Sequence, residues 1–366
     1  MLPNIYICNE TWIFGRRMWF LRIREEIVQA TKIAFAYIGT VVGAGFASGQ
    51  EIMRFFTVYG IYSIWPILIA ASLFIFIGTK ILRLGSKLNS QSYKAIIEHT
   101  FGIISPFVSG YIALAMVLIG AAMLAGSGAL FNEYAGIPYW IGTGVTAAAA
   151  LIVVLFGIKG ILAINTWIVP LILMFSLIVY GYSLQGNGSG QEITAIYEIT
   201  PVELVMNGVL YAAFNIILSI GVLSSAASKV KEPRALTIGG IMGGGILGIM
   251  IFINNYSLRA QGPGIYDYEV PMLYIVNHMG PLFSGLYAAV TWGAIFTTLI
   301  ANFFSLSSVI NDVFRVPVSL SLLMVTCLCF VISFMGFSQI VAFFYPLLGI
   351  FGFVLTVIMF VSTFKN

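Results

Sequence analysis

Gly39, Gly43, Gly45 and Gly49 fall within eleven residues of an otherwise apolar stretch, Ile33 to Phe46, that continues to Ser48, Gln50 and Glu51. Glycine weakens a helix and lets a ligand approach the backbone. A helix that opens inside a bilayer frees N–H and C=O groups, which must then bind something. The spacing predicts a break near the middle of a membrane helix. N–H groups around Gly43, Ala44 and Gly45 would then sit at a half-helix N-terminus and suit a carboxylate. Carbonyls near Val41, Ala213 and Phe214 suit an ammonium, and Asn215 and Ser219 add polar contacts. A zwitterion satisfies both sets, so an amino acid with a mainly apolar side chain is the expected solute.

Glu51 is the one acidic residue of this first helix, and Arg54 follows three residues later on the same helical face. An ionisable group inside a membrane is a functional candidate by default. Two readings stay open: an outer gate or protonatable group, or a self-neutralising pair at the interface.

The elements that position these residues follow from composition. The chain has 366 residues, 60% hydrophobic and 8% charged, with a mean hydropathy of +1.01. So few charges cannot cover the surface of a soluble protein of this size. The chain therefore reads as an all-α, polytopic membrane protein whose partners are the lipid bilayer and a small-molecule solute. Cys8, Cys327 and Cys329 sit in apolar settings and imply neither a disulfide framework nor a metal site. The histidines, His99 and His278, lie far apart. Without clustered His, Cys, Asp or Glu, and without a nucleotide motif, neither an enzyme nor a primary pump is expected. The +4 net charge is no nucleic-acid signal, because it reflects where the basic residues sit relative to the spans.

Ten apolar segments approach or exceed the ~20 residues needed to span. They run over 27–58, 62–82, 103–131, 137–156, 159–184, 202–228, 234–257, 282–311, 316–336 and 338–362. With both termini in the cytoplasm, all but Arg54 and Arg259 of the 17 lysines and arginines fall inside. These are Arg16, Arg17, Arg22, Arg24, Lys32, Lys80, Arg83, Lys87, Lys94, Lys159, Lys229, Lys231, Arg234, Arg315 and Lys365. That asymmetry supports the count and the orientation.

Residues 1–26 form a cytoplasmic or interfacial N-terminal segment, not a cleaved signal peptide. Its aromatics, Trp12, Phe14, Trp19 and Phe20, interleave with arginines and suit the membrane interface, although an unstructured leader fits equally. Residues 27–184 and 202–362 make two five-helix units joined by an extracellular linker, 185–201, with a cytoplasmic terminus at 363–366. Five spans is an odd number, so the second unit enters from the opposite side, which is an inverted repeat. By that symmetry the sixth span should break as the first does, around Phe214 to Ser225. Packing of small residues is the competing explanation. The six glycines between Gly239 and Gly248 on the seventh span argue for close packing. The stretch 258–281 is expected to cap the outer mouth as a short re-entrant or surface helix.

This 5+5 arrangement with broken helices 1 and 6 resembles the amino acid–polyamine–organocation superfamily, the LeuT-type fold. The motif from Gly39 through Gly43, Gly45 and Gly49 to Gln50 and Glu51 more narrowly resembles the YkvI family of bacterial membrane proteins. The broad resemblance implies a secondary active transporter, a symporter working by alternating access, in the bacterial cytoplasmic membrane. Helices 1 and 6 would rock against a scaffold of helices 3, 4, 8 and 9. It further implies one sodium site, formed by the carbonyls of Gly39, Val42 and Ala294 and the hydroxyls of Thr297 and Thr298, with Asp312 matching an acidic residue at the end of helix 8. A hard cation does want several oxygens; membrane threonines also bond their own backbone. Phe46 stands where some relatives place an asparagine for a second sodium, and helix 5 lacks the internal lysine of some proton-coupled relatives. No tyrosine occupies the middle of helix 3, where some relatives use one to touch the substrate carboxylate. The alternatives are a proton-coupled transporter using Glu51, and a nutrient sensor of the same fold that does not transport.

Overall fold

The computed structural model describes residues 6–88, 93–156, 161–186, 188, 193, 199–230 and 232–362. Most of the linker 185–201, the terminus 363–366, and Lys159 and Lys231 lie outside the described residues. So do the side chains of Cys8, Arg16, Arg17, Arg22, Lys94 and Asp312.

Among the described residues all regular secondary structure is helical. In chain order the helices are α1 (Tyr6–Val41), α2 (Ala44–Ser48), α3 (Gln50–Phe55), α4 (Ile64–Lys87), α5 (Tyr93–Phe101), α6 (Ser105–Ala135) and α7 (Tyr139–Phe156). They continue with α8 (Ile161–Leu184), α9 (Pro201–Ser228), α10 (Pro233–Arg259), α11 (Pro271–Asn277), α12 (Pro281–Phe314), α13 (Val318–Ser333) and α14 (Phe337–Ser362). Local chemistry sets several boundaries. Pro201 opens α9 behind a capping box in which Thr200 and Glu203 satisfy each other's backbone N–H. Gly136, at φ 66°, ends α6 in the left-handed conformation that glycine adopts without strain.

Seven of the described helices are long and apolar enough to cross a membrane by length and composition. Two shorter apolar helices, Tyr139–Leu155 and Val318–Ser333, accompany them. The first predicted span is divided among α1, α2 and α3, so no single uninterrupted helix corresponds to it.

Two groups of helices pack among themselves. α1, α4, α9 and α10 form one; α6, α7, α12 and α13 form the other. The first depends on the α10 glycines. A Cβ at Gly244 would lie 2.6 Å from Ile75 N, and one at Gly243 2.8 Å from the Tyr37 ring. Backbone therefore rests against backbone, the close approach that small residues allow in a membrane. α14 lies against both groups through α9 and α6, and α8 bridges α10 and α12.

The predicted break in the sixth span is not there. α9 is one continuous helix over Pro201–Ser228. Its small and polar residues are absorbed in two ways. Asn215 Nδ2 donates to Tyr211 O at 3.0 Å, and Ser219 Oγ to Asn215 O at 2.6 Å, within the same helix. The helix is also clamped by backbone contact: a Cβ at Gly352 of α14 would lie 3.1 Å from Phe214 N, and one at Gly85 of α4 2.7 Å from Ser224 Cα. Packing of small residues explains this composition without an opened helix.

Candidate functional site

The first helix does break, and at the predicted glycines. The ladder of α1 stops where Val42 N–H donates to Ile38 O at 2.8 Å. Gly43 N–H then turns back to Val41 O at 2.9 Å, and the ladder resumes with Ala47 N–H to Gly43 O at 2.9 Å. Gly43 is extended, at φ −99° and ψ −166°. The carbonyls of Gly39 and Val42 and the N–H groups of Ala44 and Gly45 thus lie outside both ladders. A second interruption follows at Gly49, whose φ of 86° is left-handed. A Cβ at Gly49 would lie 2.6 Å from Met272 Cγ of α11, so the loop helix rests directly on this kink. The stretch between α10 and α12 holds a 3-10 turn, Pro263–Asp267, and the buried α11, which together cover this kink like a cap.

The broken segment is held by side chains from other helices. Tyr287 of α12, itself buried, donates through its hydroxyl to Ala47 O at the end of α2. Gln50 Nε2 donates to Ser338 Oγ of α14, and Arg54 Nε to Ala342 O at 3.3 Å, one turn further along the same helix. α3 is therefore tied to α14 at two successive levels.

Glu51 lies inward of these ties. Its residue is only 5% exposed. The carboxyl folds back so closely over Gly45 Cα that a Cβ there would overlap Oε1. The fully buried phenols of Tyr211 in α9 and Tyr345 in α14 lie within electrostatic reach of it. Glu51 Oε2 and Tyr211 Oη are both buried without hydrogen-bond geometry to any partner, although they are close to each other. Rings complete the surroundings: Tyr211 packs on Phe55, Phe56 and Phe214, and Phe214 packs on Tyr345 at 5.3 Å. The self-neutralising pair with Arg54 does not form, because the guanidinium turns to α14 and the carboxyl turns to α9.

The other expected residues are placed as follows. Phe214 belongs to the aromatic cluster. The carbonyls of Ala213 and Phe214 lie within the uninterrupted ladder of α9 and are not opened toward an ammonium; Asn215 and Ser219 are buried and bonded to their own helix. Thr297 Oγ1 donates to Gly293 O at 3.0 Å and Ala294 O at 3.2 Å. Gly39 and Gly293 meet the same turn of α8: Cβ atoms there would lie 3.1 Å from Val169 Cγ2 and 2.9 Å from Ile168 Cδ1. The end of α1 and the middle of α12 thus flank one stretch of α8. Among the described residues, no group of three or more His, Cys, Asp and Glu is able to hold a metal.

A second polar chain runs through the cap. Glu133, at the end of α6, accepts from Glu269 N at 2.6 Å and Val270 N at 3.1 Å. The Glu269 carboxyl in turn accepts from the backbone N–H groups of Phe337 and Ser338 at the start of α14. Burial pushes the Glu269 carboxyl above the ordinary carboxylate range, against the pull of those two hydrogen bonds. These carboxylates and the three tyrosines were not singled out by the sequence. The partners that give them their setting lie far off in sequence, 136 residues for Glu133 and Glu269 and 240 for Tyr287 and Ala47, and only the acidic residues at span ends carry a local signal.

This fold, with its interrupted first span, is similar to that of solved membrane transporters. The structure of MhsT in complex with L-phenylalanine matches with a TM-score of 0.62, covering 85% of this chain and 79% of that one at 15% identity. Inward-facing Mhp1 matches with a TM-score of 0.66, over 90% and 75% of the two chains at 15% identity. A mutant of the Eremococcus coleocola manganese transporter matches with a TM-score of 0.59, over 84% and 70% at 13% identity. By sequence the chain is a homologue of the uncharacterised membrane protein YkvI of Bacillus subtilis (strain 168). The two are 29% identical over 321 residues, which is 87% of this chain and 92% of YkvI. The uncharacterised protein YyaD of the same strain is 27% identical over 314 residues, 85% and 90% of the two chains. No protein-family model matches the chain.

Proposed function

We propose that the protein is a secondary transporter that moves a small zwitterionic solute, an amino acid, together with sodium by alternating access. Its ten spans would form a 5+5 inverted repeat in a bacterial cytoplasmic membrane, with both termini inside. The observation that carries this reading is the interruption between Val41 and Ala44. It leaves N–H groups at Ala44 and Gly45 for a carboxylate and carbonyls at Gly39 and Val42 for a cation, the pairing that interrupted helices in transporters use.

The grouping of the helices supports the mechanism. α1, α4, α9 and α10 would move as a unit against α6, α7, α12 and α13, which are the third, fourth, eighth and ninth spans. Because α9 is unbroken, the solute would be held chiefly by the first helix, and the sixth would contribute side chains instead of open carbonyls. The sodium ligands would be the carbonyls of Gly39, Val42 and Ala294 with the hydroxyls of Thr297 and Thr298. The fold itself leaves the cargo open: MhsT is seen with L-phenylalanine, Mhp1 with bromovinylhydantoin, and a third relative by fold is a manganese transporter.

The test is a thermal-unfolding screen of the detergent-purified protein with amino acids, amines and small carboxylates, in sodium, potassium and low-pH buffers. A ligand at ~100 times its dissociation constant adds about 2.7 kcal/mol. Sodium-dependent stabilisation by one amino-acid class, followed by accumulation of that solute in liposomes under a sodium gradient, is the expected result. Binding without accumulation would replace the transporter by a sensor of the same fold.

A further inference from the structure

We propose that Glu51 is a proton-binding site, assembled when the α2–α3 piece closes against α9 and α14 and opened when that piece moves away. The closing and opening rest on the alternating-access reading above; the proton site itself rests on the following geometry.

A carboxyl group can be this deeply buried only if its charge is removed or matched. Glu51 has no matching charge. Among the described residues no basic side chain pairs with it, and the nearest in sequence, Arg54, is turned to Ala342 O. The elements packed against α3 are α2, the 3-10 turn Thr57–Ser63, α9, α10 and α14. Of their titratable groups, only Tyr211 and Tyr345 face the carboxyl. Tyr59 is bonded to Asn207 at 2.5 Å. Glu203 caps α9 at its far end, while Tyr256 and Arg259 lie in the last turn of α10. Two neutral phenols do not compensate a carboxylate. The carboxyl also lies tightly against Gly45, beside a cluster of packed aromatic rings that brings no charge to it.

The site is shared among three elements that close on one another. Glu51 comes from α3, Tyr211 from α9 and Tyr345 from α14. The same α3–α14 contact is fastened by Gln50 to Ser338 and Arg54 to Ala342. When α3 leaves α14, Tyr345 and the fastening residues leave with it, and water reaches the carboxyl. The protonated carboxyl group then releases its proton to that water and becomes a carboxylate; reclosing requires a proton to be taken up. Closure and protonation are thereby linked, one proton per cycle, with no change in any covalent bond beyond the O–H of Glu51.

Two measurements on the full-length, detergent-purified protein test this. The first is infrared spectroscopy at neutral pH. A protonated-carboxyl absorption is expected in the wild type, with one component of it lost in Glu51→Gln and kept in Glu203→Gln and Glu269→Gln. A spectrum unchanged by Glu51→Gln would overturn the proposal. The second uses spin labels at Val58→Cys and Phe343→Cys, with Cys8, Cys327 and Cys329 replaced by serine. The distance distribution between them reports how far the turn that directly follows α3 lies from α14. One linked proton changes the closed-to-open ratio by up to about tenfold per pH unit. Closure should therefore grow on acidification in the wild type, while Glu51→Gln, which is nearly isosteric and permanently neutral, stays closed at every pH. The same pH slope in Glu51→Gln, or closure driven by added sodium at constant pH through Glu51, would sink the proton site. Neither measurement needs a transported solute, so a failure to find transport leaves this result readable by itself.

Discussion

The Glu51 carboxyl occupies the space that a side chain at Gly45 would need. An ideal Cβ on Gly45 would lie 2.6 Å from Glu51 Cδ and 2.7 Å from Cγ, and closer still to Oε1. The glycine at the broken helix and the acid six residues later are therefore one packed unit: position 45 is small because position 51 folds back over it. This explains a glycine that a purely backbone role would not require, since Gly45 sits inside the regular turn of α2.

Gly45→Ala should consequently destabilise the protein by about 1–3 kcal/mol, the usual range for overpacking a filled site. The loss should shrink when Glu51 is also shortened to alanine. A double-mutant cycle read by chemical unfolding in detergent measures this. Equal losses in the two backgrounds would mean that the two residues do not share that space.

The α10 glycines provide a matched pair. A Cβ at Gly244 would lie 2.6 Å from Ile75 N, whereas one at Gly245 meets nothing within 4 Å. Gly244→Ala should separate α10 from α4 and lower stability by about 1–3 kcal/mol. Gly245→Ala should be neutral or add up to about 1 kcal/mol through helix propensity. If the two substitutions behave alike in a thermal-unfolding comparison, the backbone contact between α10 and α4 is not what the glycine stripe serves.

These two cases show what could be read in advance. The break at Gly43 was legible because four glycines in an apolar run have few other uses. The α10 stripe was legible as close packing for the same reason. The sixth span was not, because Asn215, Ser219 and Gly221 have the same composition whether a helix opens or is merely gripped by neighbours. What separates the two outcomes is the facing glycines, Gly349 and Gly352 of α14, which lie about 140 residues away in sequence. Glu51 was legible as unusual, but its surroundings were not, since Tyr211 and Tyr345 carry no local pattern that marks them as neighbours of an acid.

The sodium reading is tested on α12. Thr297 and Thr298 sit one after the other, and Thr297 already donates to Gly293 O and Ala294 O. Replacing both with alanine should remove sodium-dependent stabilisation while the protein still folds, because a hydroxyl bonded to its own helix contributes little to stability. Sodium titrations followed by thermal unfolding give the readout. Undiminished sodium dependence in the double variant would place the ion elsewhere.

The cap carries a pH dependence of its own through Glu269. Its carboxyl joins the cap to the first turn of α14 by accepting from Phe337 and Ser338 N–H, yet burial leaves it easier to protonate than an ordinary glutamate. Between the unfolded value and this raised one, the folded protein binds more protons than the unfolded chain. Stability contributed by this group is therefore fully present below the ordinary carboxylate range and falls as pH rises through the folded-state titration. Glu269→Gln keeps the shape and removes the titration, so unfolding measured across that range should show a shallower loss with rising pH in the variant than in the wild type. The amide can still accept from one of the two N–H groups, so the variant should keep α14 docked at neutral pH. An unchanged slope would mean that the acid is solvated in the folded protein and that the cap is held by the Glu133 contacts to Glu269 and Val270 alone.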